Sequence, residues 1–147
     1  MKEEAGRWEI VEVDREEIQD FLRREWRLVD EGMFGAYDEG MWTVQERALA
    51  CYEKGDLVGA AEFKIEAGLG KVTQLNVQAA RRRRGLGRAL MQHVEDVCRQ
   101  EGCHKITLKT YWDSEAQRFY QALGYVVEAI LRRDLHGLDM CQMCKFL

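Results

Sequence analysis

Residues 71–111 read as a strand, a crossover helix and a second strand, and no other stretch limits the fold of this chain as strongly. Lys71 to Val77 (KVTQLNV) alternates as a strand does. A basic loop with two glycines follows. Leu86, Leu90, Val94, Val97 and Cys98 then recur on one helical face, and Gly102 suits the helix stop. Lys105 to Tyr111 (KITLKTY) alternates again. Two strands joined through a helix of this length pair in parallel with a right-handed crossover, so the sheet must contain at least one parallel pair.

The flanking sequence supplies the rest of the sheet. Trp8 to Val13 (WEIVEV) predicts a strand, and Asp14 with Glu17 has the form of a capping box ahead of Ile18, Phe21, Leu22 and Trp26 at helical spacing. Residues 27–46, rich in glycine and acid, predict a short second helix and a loop. Arg47 to Tyr52 and Leu57 to Glu66 flank Lys54-Gly55-Asp56, which predicts a hairpin. Asp113 or Ser114 caps a helix carrying Ala116, Phe119, Tyr120 and Leu123, and Gly124 ends it. Tyr125 to Leu131 and Leu138 to Phe146 form a last strand pair around Asp134 to Gly137. The expected fold class is α/β (α+β), a mixed central sheet of about seven strands with about four helices in the order βααβββαβαββ. With 147 residues and no repeat or linker, residues 1–147 are expected to form a single domain.

Charge is unevenly spread. The net charge is −4, where a wholesale nucleic-acid binder is more often basic. Residues 1–70 hold 9 Lys and Arg against 18 Asp and Glu, whereas residues 71–147 hold 13 against 8. Four of the positive charges, Arg81 to Arg84, are consecutive. No stretch approaches the roughly 18 apolar residues of a membrane helix, and the acidic start MKEEAGRWEIVEV lacks a signal peptide's apolar segment. The expectation is a cytoplasmic protein without a membrane partner. The five cysteines are odd in number and irregular in spacing, which fits reduced thiols. Cys141 and Cys144 are a lone CxxC in a strand-like stretch, and His93, His104 and His136 have no metal spacing, so no metal is expected.

The chemistry concentrates in Val77-x₄-Arg82-Arg83-Arg84-Gly85-Leu86-Gly87-Arg88. A strand feeds a basic loop that opens a helix, where free amides and the positive end of the helix dipole favour an anion. Glycine lets a bulky anion approach the backbone, and arginine adds charge-assisted hydrogen bonds to phosphate oxygens. Neither the P-loop pattern nor the three-glycine dinucleotide pattern is present. A basic run binding nucleic acid stays open at this point, although stacking aromatics are missing beside it.

The spacing [Arg/Gln]-x-x-Gly-x-[Gly/Ala], filled by Arg82, Gly85 and Gly87, resembles motif A of the GNAT superfamily of acyl-CoA-dependent N-acetyltransferases. Asp113-Ser-Glu-Ala116-Gln-Arg-Phe119-Tyr120-Gln-Ala-Leu123-Gly124-Tyr125 is similar to its motif B. The resemblance implies acetyl-CoA as co-substrate, its pyrophosphate seated on Arg82, Arg83, Arg84, Gly85, Leu86 and Gly87 with Arg88 beside them. It implies that the fourth and fifth expected strands splay apart. Leu75 and Val77 would then offer backbone groups to the pantetheine, and an amide near Leu75 would polarise the thioester carbonyl.

Tyr120 occupies the position of the family's acid. Many relatives carry a basic Glu on the fourth strand. Here that strand offers Lys71 and Gln74, so Glu62 on the third strand is the nearest substitute, with a water chain as the other option. Asp113 stands where Asn is common, and Gln78-Ala79-Ala80 replaces an acid–proline pair. Phe34, Tyr37, Asp38, Glu39 and Trp42 are the candidates to meet the second partner, a cationic amine acceptor. The resemblance thus implies an N-acetyltransferase working through a ternary complex, without nucleic acid, and leaves a homodimer open. The missing fourth-strand acid keeps a non-catalytic acyl-CoA-binding module as the alternative.

Overall fold

The computed structural model describes residues 8–147, and these fall into two compact units, the first ending at Glu39 and the second beginning at Gly40. In the first, helix α1 spans Arg15–Phe34. Its start follows the expected capping pattern: the Glu17 carboxylate accepts from the Asp14 amide at 3.4 Å. It ends at Gly35, whose φ of 77° lets its amide donate back to the Glu31 carbonyl. Within it, the Arg27 guanidinium donates to Glu31 at 3.0 Å and lies 5.1 Å from the centre of the Tyr37 ring.

Two expectations fail here. Trp8 to Val13 is not a strand: it joins no ladder, and Ile10 is 95% exposed. Alternation specifies two faces but not a partner, and a strand needs a partner. Nor is there a second α-helix in 27–46. The first helix runs on to Phe34 and only a single 3₁₀ turn, Glu39–Trp42, follows. A lone glycine such as Gly32 costs about 1 kcal/mol inside a helix, too little to stop one that is otherwise well formed.

The second unit holds a six-stranded sheet in the spatial order β1-β2-β3-β4-β6-β5. Its strands are β1 (Gln45–Glu53), β2 (Asp56–Glu66), β3 (Leu69–Val77), β4 (Lys105–Tyr111), β5 (Val126–Leu131) and β6 (Met140–Phe146). Helix α2 (Leu86–Gln100) makes the crossover from β3 to β4, and α3 (Glu115–Ala122) connects β4 to β5. The described residues therefore hold six strands and three α-helices, in place of the expected seven and four. Two-residue turns, Lys54-Gly55 and Ala67-Gly68, join the first three strands, with positive φ at all four positions. Strand β2 alternates cleanly, with Ala61, Phe63 and Ile65 inward and Glu62, Lys64 and Glu66 outward. The inward residues meet Met91, Val94 and Cys98 of α2 and Ile106 of β4 in one core.

All neighbouring strands are antiparallel except β3 and β4. Their parallel ladder runs only from Leu69 opposite Lys105 to Val72 opposite Leu108. It stops where β3 bulges: Glu62 faces Gln74 and Phe63 faces Val72, so Thr73 is the extra residue, its hydroxyl donating to the Glu62 carbonyl at 3.1 Å. A bulge bends its strand and sharpens the twist. Beyond it β3 continues to Val77 beside β2 alone, so the two strands part as expected.

Candidate functional site

The parting of β3 from β4 borders a cavity of about 420 Å³. Leu75, Asn76 and Val77 form one wall, Phe119, Ala122 and Leu123 of α3 line it from another side, and Arg81 to Arg83 with Gly85 to Arg88 complete it.

The β3 wall is polar at its backbone. The Gln78 amide donates to the Val58 carbonyl at 2.8 Å, which places the even-numbered residues 74, 76 and 78 in the set bonded to β2. Leu75 and Val77 accordingly turn their amides and carbonyls the other way, toward the side that β4 has left. At Val77 both groups have local partners. The Asn76 side chain accepts from its amide at 3.0 Å, and Arg82 Nε donates to its carbonyl at 3.0 Å.

The loop presents a second set of backbone donors. The amides of residues 83–88 make no hydrogen bond among the described residues. Three belong to the first turn of α2, where no internal partner exists. The two glycines serve different ends. Gly85 has a φ of 85° and turns the chain into the helix. Gly87 sits against α3: a Cβ there would come within 3.2 Å of Phe119 Cζ, so its absence lets the cavity's two helical walls approach.

The arginine run divides by direction. Arg81 Nε donates to Glu53 Oε2 at 2.6 Å, and Arg84 donates to Glu53 Oε1 at 2.8 Å. Arg82 folds back onto the end of β3, reaching Asn76 Oδ1 at 3.2 Å as well as Val77. Arg83, with a φ of 63°, stands out into solvent 3.8 Å from Glu115. Hydrogen bonds from Arg84 and then Arg81 hold the Glu53 carboxyl below the usual carboxylate range. The site is thus a partly apolar cleft with a cationic rim, unpaired amides at one end and a strand edge without a neighbouring strand along one side.

The profile of the Acetyltransferase (GNAT) family matches residues 8–125. The chain belongs to the GNAT acetyltransferase family. A curated relative, the blasticidin-S acetyltransferase of Streptomyces morookaense, is 37% identical over 81 residues. That match covers 54% of this chain and 59% of the relative, so the chain spans about three fifths of that protein's length. Among solved structures, an acetyltransferase from Bacillus cereus superposes with a TM-score of 0.74 at 20% identity, over 95% of this chain and 98% of its own. The ribosomal-protein-S18-alanine N-acetyltransferase of Escherichia coli gives 0.64 at 18% identity, over 92% and 91%. Both are likenesses of fold.

Within this GNAT chain, several sequence-predicted residues come together. Leu75, Val77, Arg82, Arg83, Gly85, Leu86, Gly87 and Arg88 all line the one cavity. Arg84 does not; its side chain is bonded to Glu53. Tyr120 lies behind the α3 wall, 8% exposed, with ring centres 5.0 Å from Phe119 and 5.8 Å from Tyr125. Its hydroxyl has no hydrogen-bond partner among the described residues and is not sealed from solvent. Burial pushes its pKa up to about 12. Glu62 is on the outward face of β2, where its carboxylate accepts from Gln74 Nε2 at 2.8 Å. The α3 cap is Ser114, which accepts from the Gln117 amide, while Asp113 pairs with Arg118 at 3.3 Å. Phe34, Tyr37, Asp38 and Glu39 belong to the unit ending at Glu39, and Trp42 to the other.

Sequence reasoning missed several contributors, Ala122 and Leu123 of the α3 wall among them. Asn76 and Phe119 line the cavity, the first marked by nothing beyond its place at the strand's end and the second read only as a core residue. Glu53 lies 28 residues from Arg81, and nothing local marks it. Among the described residues no cluster of His, Cys, Asp and Glu could hold a metal ion, and no helix is long and apolar enough to cross a membrane.

Proposed function

We propose that this chain is an N-acetyltransferase that moves an acetyl group from acetyl-CoA to a primary amine while both are bound. The observation that carries the reading is the run of unpaired amides at residues 83–88, set where the cavity meets the unpaired edge of β3. A pyrophosphate needs several convergent donors, and the loop offers them with Arg83 and Arg88 beside them. The pantetheine arm, which carries amides of its own, suits the free backbone groups of Leu75 and the side-chain-capped ones of Val77. Rotation of the Asn76 and Arg82 side chains frees those of Val77. Since the family profile spans both compact units, we take residues 1–147 to act as one domain.

In the reaction the amine nitrogen bonds the acetyl carbonyl carbon, the carbon–sulfur bond breaks and CoA leaves as a thiolate, which takes up a proton from water while the amine gives one up. The Leu75 amide is our candidate to stabilise charge on the carbonyl oxygen. Tyr120 faces the departing sulfur in this scheme. With a pKa of about 12 it keeps its proton throughout the neutral range, so it acts as a hydrogen-bond donor to the developing thiolate. Glu62 is the carboxylate we assign to receive the amine proton, directly or through water. Its neighbour Ala61 faces Leu75, where the free edge begins.

The acceptor is a primary amine on a small molecule or a peptide. One relative is named for blasticidin-S and one fold neighbour for a ribosomal-protein alanine. The test is thiol release from acetyl-CoA across a panel of aminated antibiotics, polyamines and peptide N-termini. Amine-dependent thiol release is expected. CoA binding without release for any amine would overturn catalysis.

A further inference from the structure

The geometry points to Glu53 as a positioning residue that holds the anion-binding loop in shape from the far end of β1. This rests on reading the loop as the seat of the CoA pyrophosphate, and it goes further by naming what keeps the loop formed.

One carboxylate at the last residue of β1 accepts from two guanidinium groups three positions apart. Arg81 reaches it at 2.6 Å, and Arg84 reaches it at 2.8 and 3.4 Å. Gln78 accepts from Arg81 on the same side. The loop is therefore pinned on either side of Arg82 and Arg83. Between the pins Arg82 is tied in the opposite direction, to β3, and Arg83 takes a φ of 63° that a non-glycine residue adopts at a cost.

Four adjacent guanidinium groups repel one another, and beyond the 3₁₀ turn in which the Arg81 and Arg82 amides donate to the Gln78 and Ala79 carbonyls, the segment that exposes amides 83–88 has no backbone hydrogen bond of its own. Something outside the loop must fix it. Glu53 does so while being partly shielded, its side chain 33% exposed. An exposed ion pair contributes little to global stability. Here its effect falls on the geometry of a short segment. With the carboxylate gone, Arg81 and Arg84 swing free, the pins are lost, and an incoming anion must order the loop itself.

The experiment compares the wild type with Glu53→Gln, which keeps the size and one acceptor but removes the charge. Nitrogen relaxation of the ligand-free proteins reports order parameters for the amides of residues 82–85. They are expected to fall from the rigid range near 0.85 to below about 0.6 in the variant. The acetyl-CoA KM is expected to rise about tenfold, with kcat at saturating acetyl-CoA changed less than about twofold, because the loss is in donor binding and not in the transferring step.

Arg84→Gln should behave alike, and the double variant should be no worse than either single one, as expected of partners in one clamp. Unchanged loop order overturns the proposal. So does an unchanged or lower KM, a fall of kcat in step with KM, or losses that simply add. Should the wild type bind no CoA at all, the transferase reading fails, while the relaxation comparison still decides whether Glu53 holds the loop.

Discussion

Strand β3 changes character along its length. From Leu69 to Val72 it is hydrogen-bonded on both sides, to β2 and β4, and it lies beside buried Ile106 and Leu108 of β4. From Leu75 to Val77 it keeps only β2, and its other edge looks into a cavity. One extra residue, Thr73, separates the two regimes. The lower half shows what a sheet does when every backbone group finds a partner: it makes core. The upper half shows that withholding one partner strand leaves backbone groups outside any ladder, free at Leu75 and covered only by side chains at Val77, which a ligand can use.

The contrast can be broken from the closed side first. Ile106→Ala removes a fully buried side chain of β4 beside the paired half and is expected to cost about 2–5 kcal/mol, read from urea unfolding. CoA affinity of the folded fraction should be little changed, and a large loss would mean that the two halves are not separable.

On the open side, Tyr120→Phe leaves packing intact but deletes the hydroxyl. It should lower kcat about a hundredfold, with CoA affinity within about twofold in calorimetry. Gly87→Ala comes next, its new Cβ 3.2 Å from Phe119. The gain of about 1 kcal/mol in helix propensity offsets the crowding, so stability should barely move. CoA affinity should nonetheless drop about tenfold as the α2 and α3 walls are forced apart.

The smallest effect is a pH dependence. The Glu53 carboxyl is depressed in the folded chain, so its contribution is complete above its ordinary value near 4.5 and disappears as the pH falls through the lower folded value. The difference in thermal midpoint between wild type and Glu53→Gln should therefore shrink below that range. A difference that persists into strong acid would exclude the ionised clamp.

Much of this contrast was legible in the sequence. The strand–loop–helix–strand run located the parallel pair, and the glycines at 85 and 87 marked the turn into α2. The alternation of β2 puts Glu62 and Phe63 on opposite faces, and the structure has Glu62 outward and Phe63 inward. What failed shares a cause. The WEIVEV stretch has strand-like chemistry, but whether a ladder partner exists is a property of the whole fold. The extent of α1 past Gly32 depended on where a left-handed residue falls, which was Gly35. Four adjacent arginines look alike in a string, yet the structure sends two to Glu53, one to β3 and one into solvent. That division is set by a carboxylate 28 residues upstream, and no local pattern encodes it.

The same unpaired edge has a consequence for how the molecule behaves in a crowded solution. A strand with free amides and carbonyls is a template on which a second chain can add a strand, the first step toward aggregation. At Val77 both groups are already covered, by the Asn76 side chain and the Arg82 guanidinium, and positive charge surrounds the opening. The residues that make the cleft attractive to an anion are thus also gatekeepers. Neutralising the loop would remove those gatekeepers from the open edge.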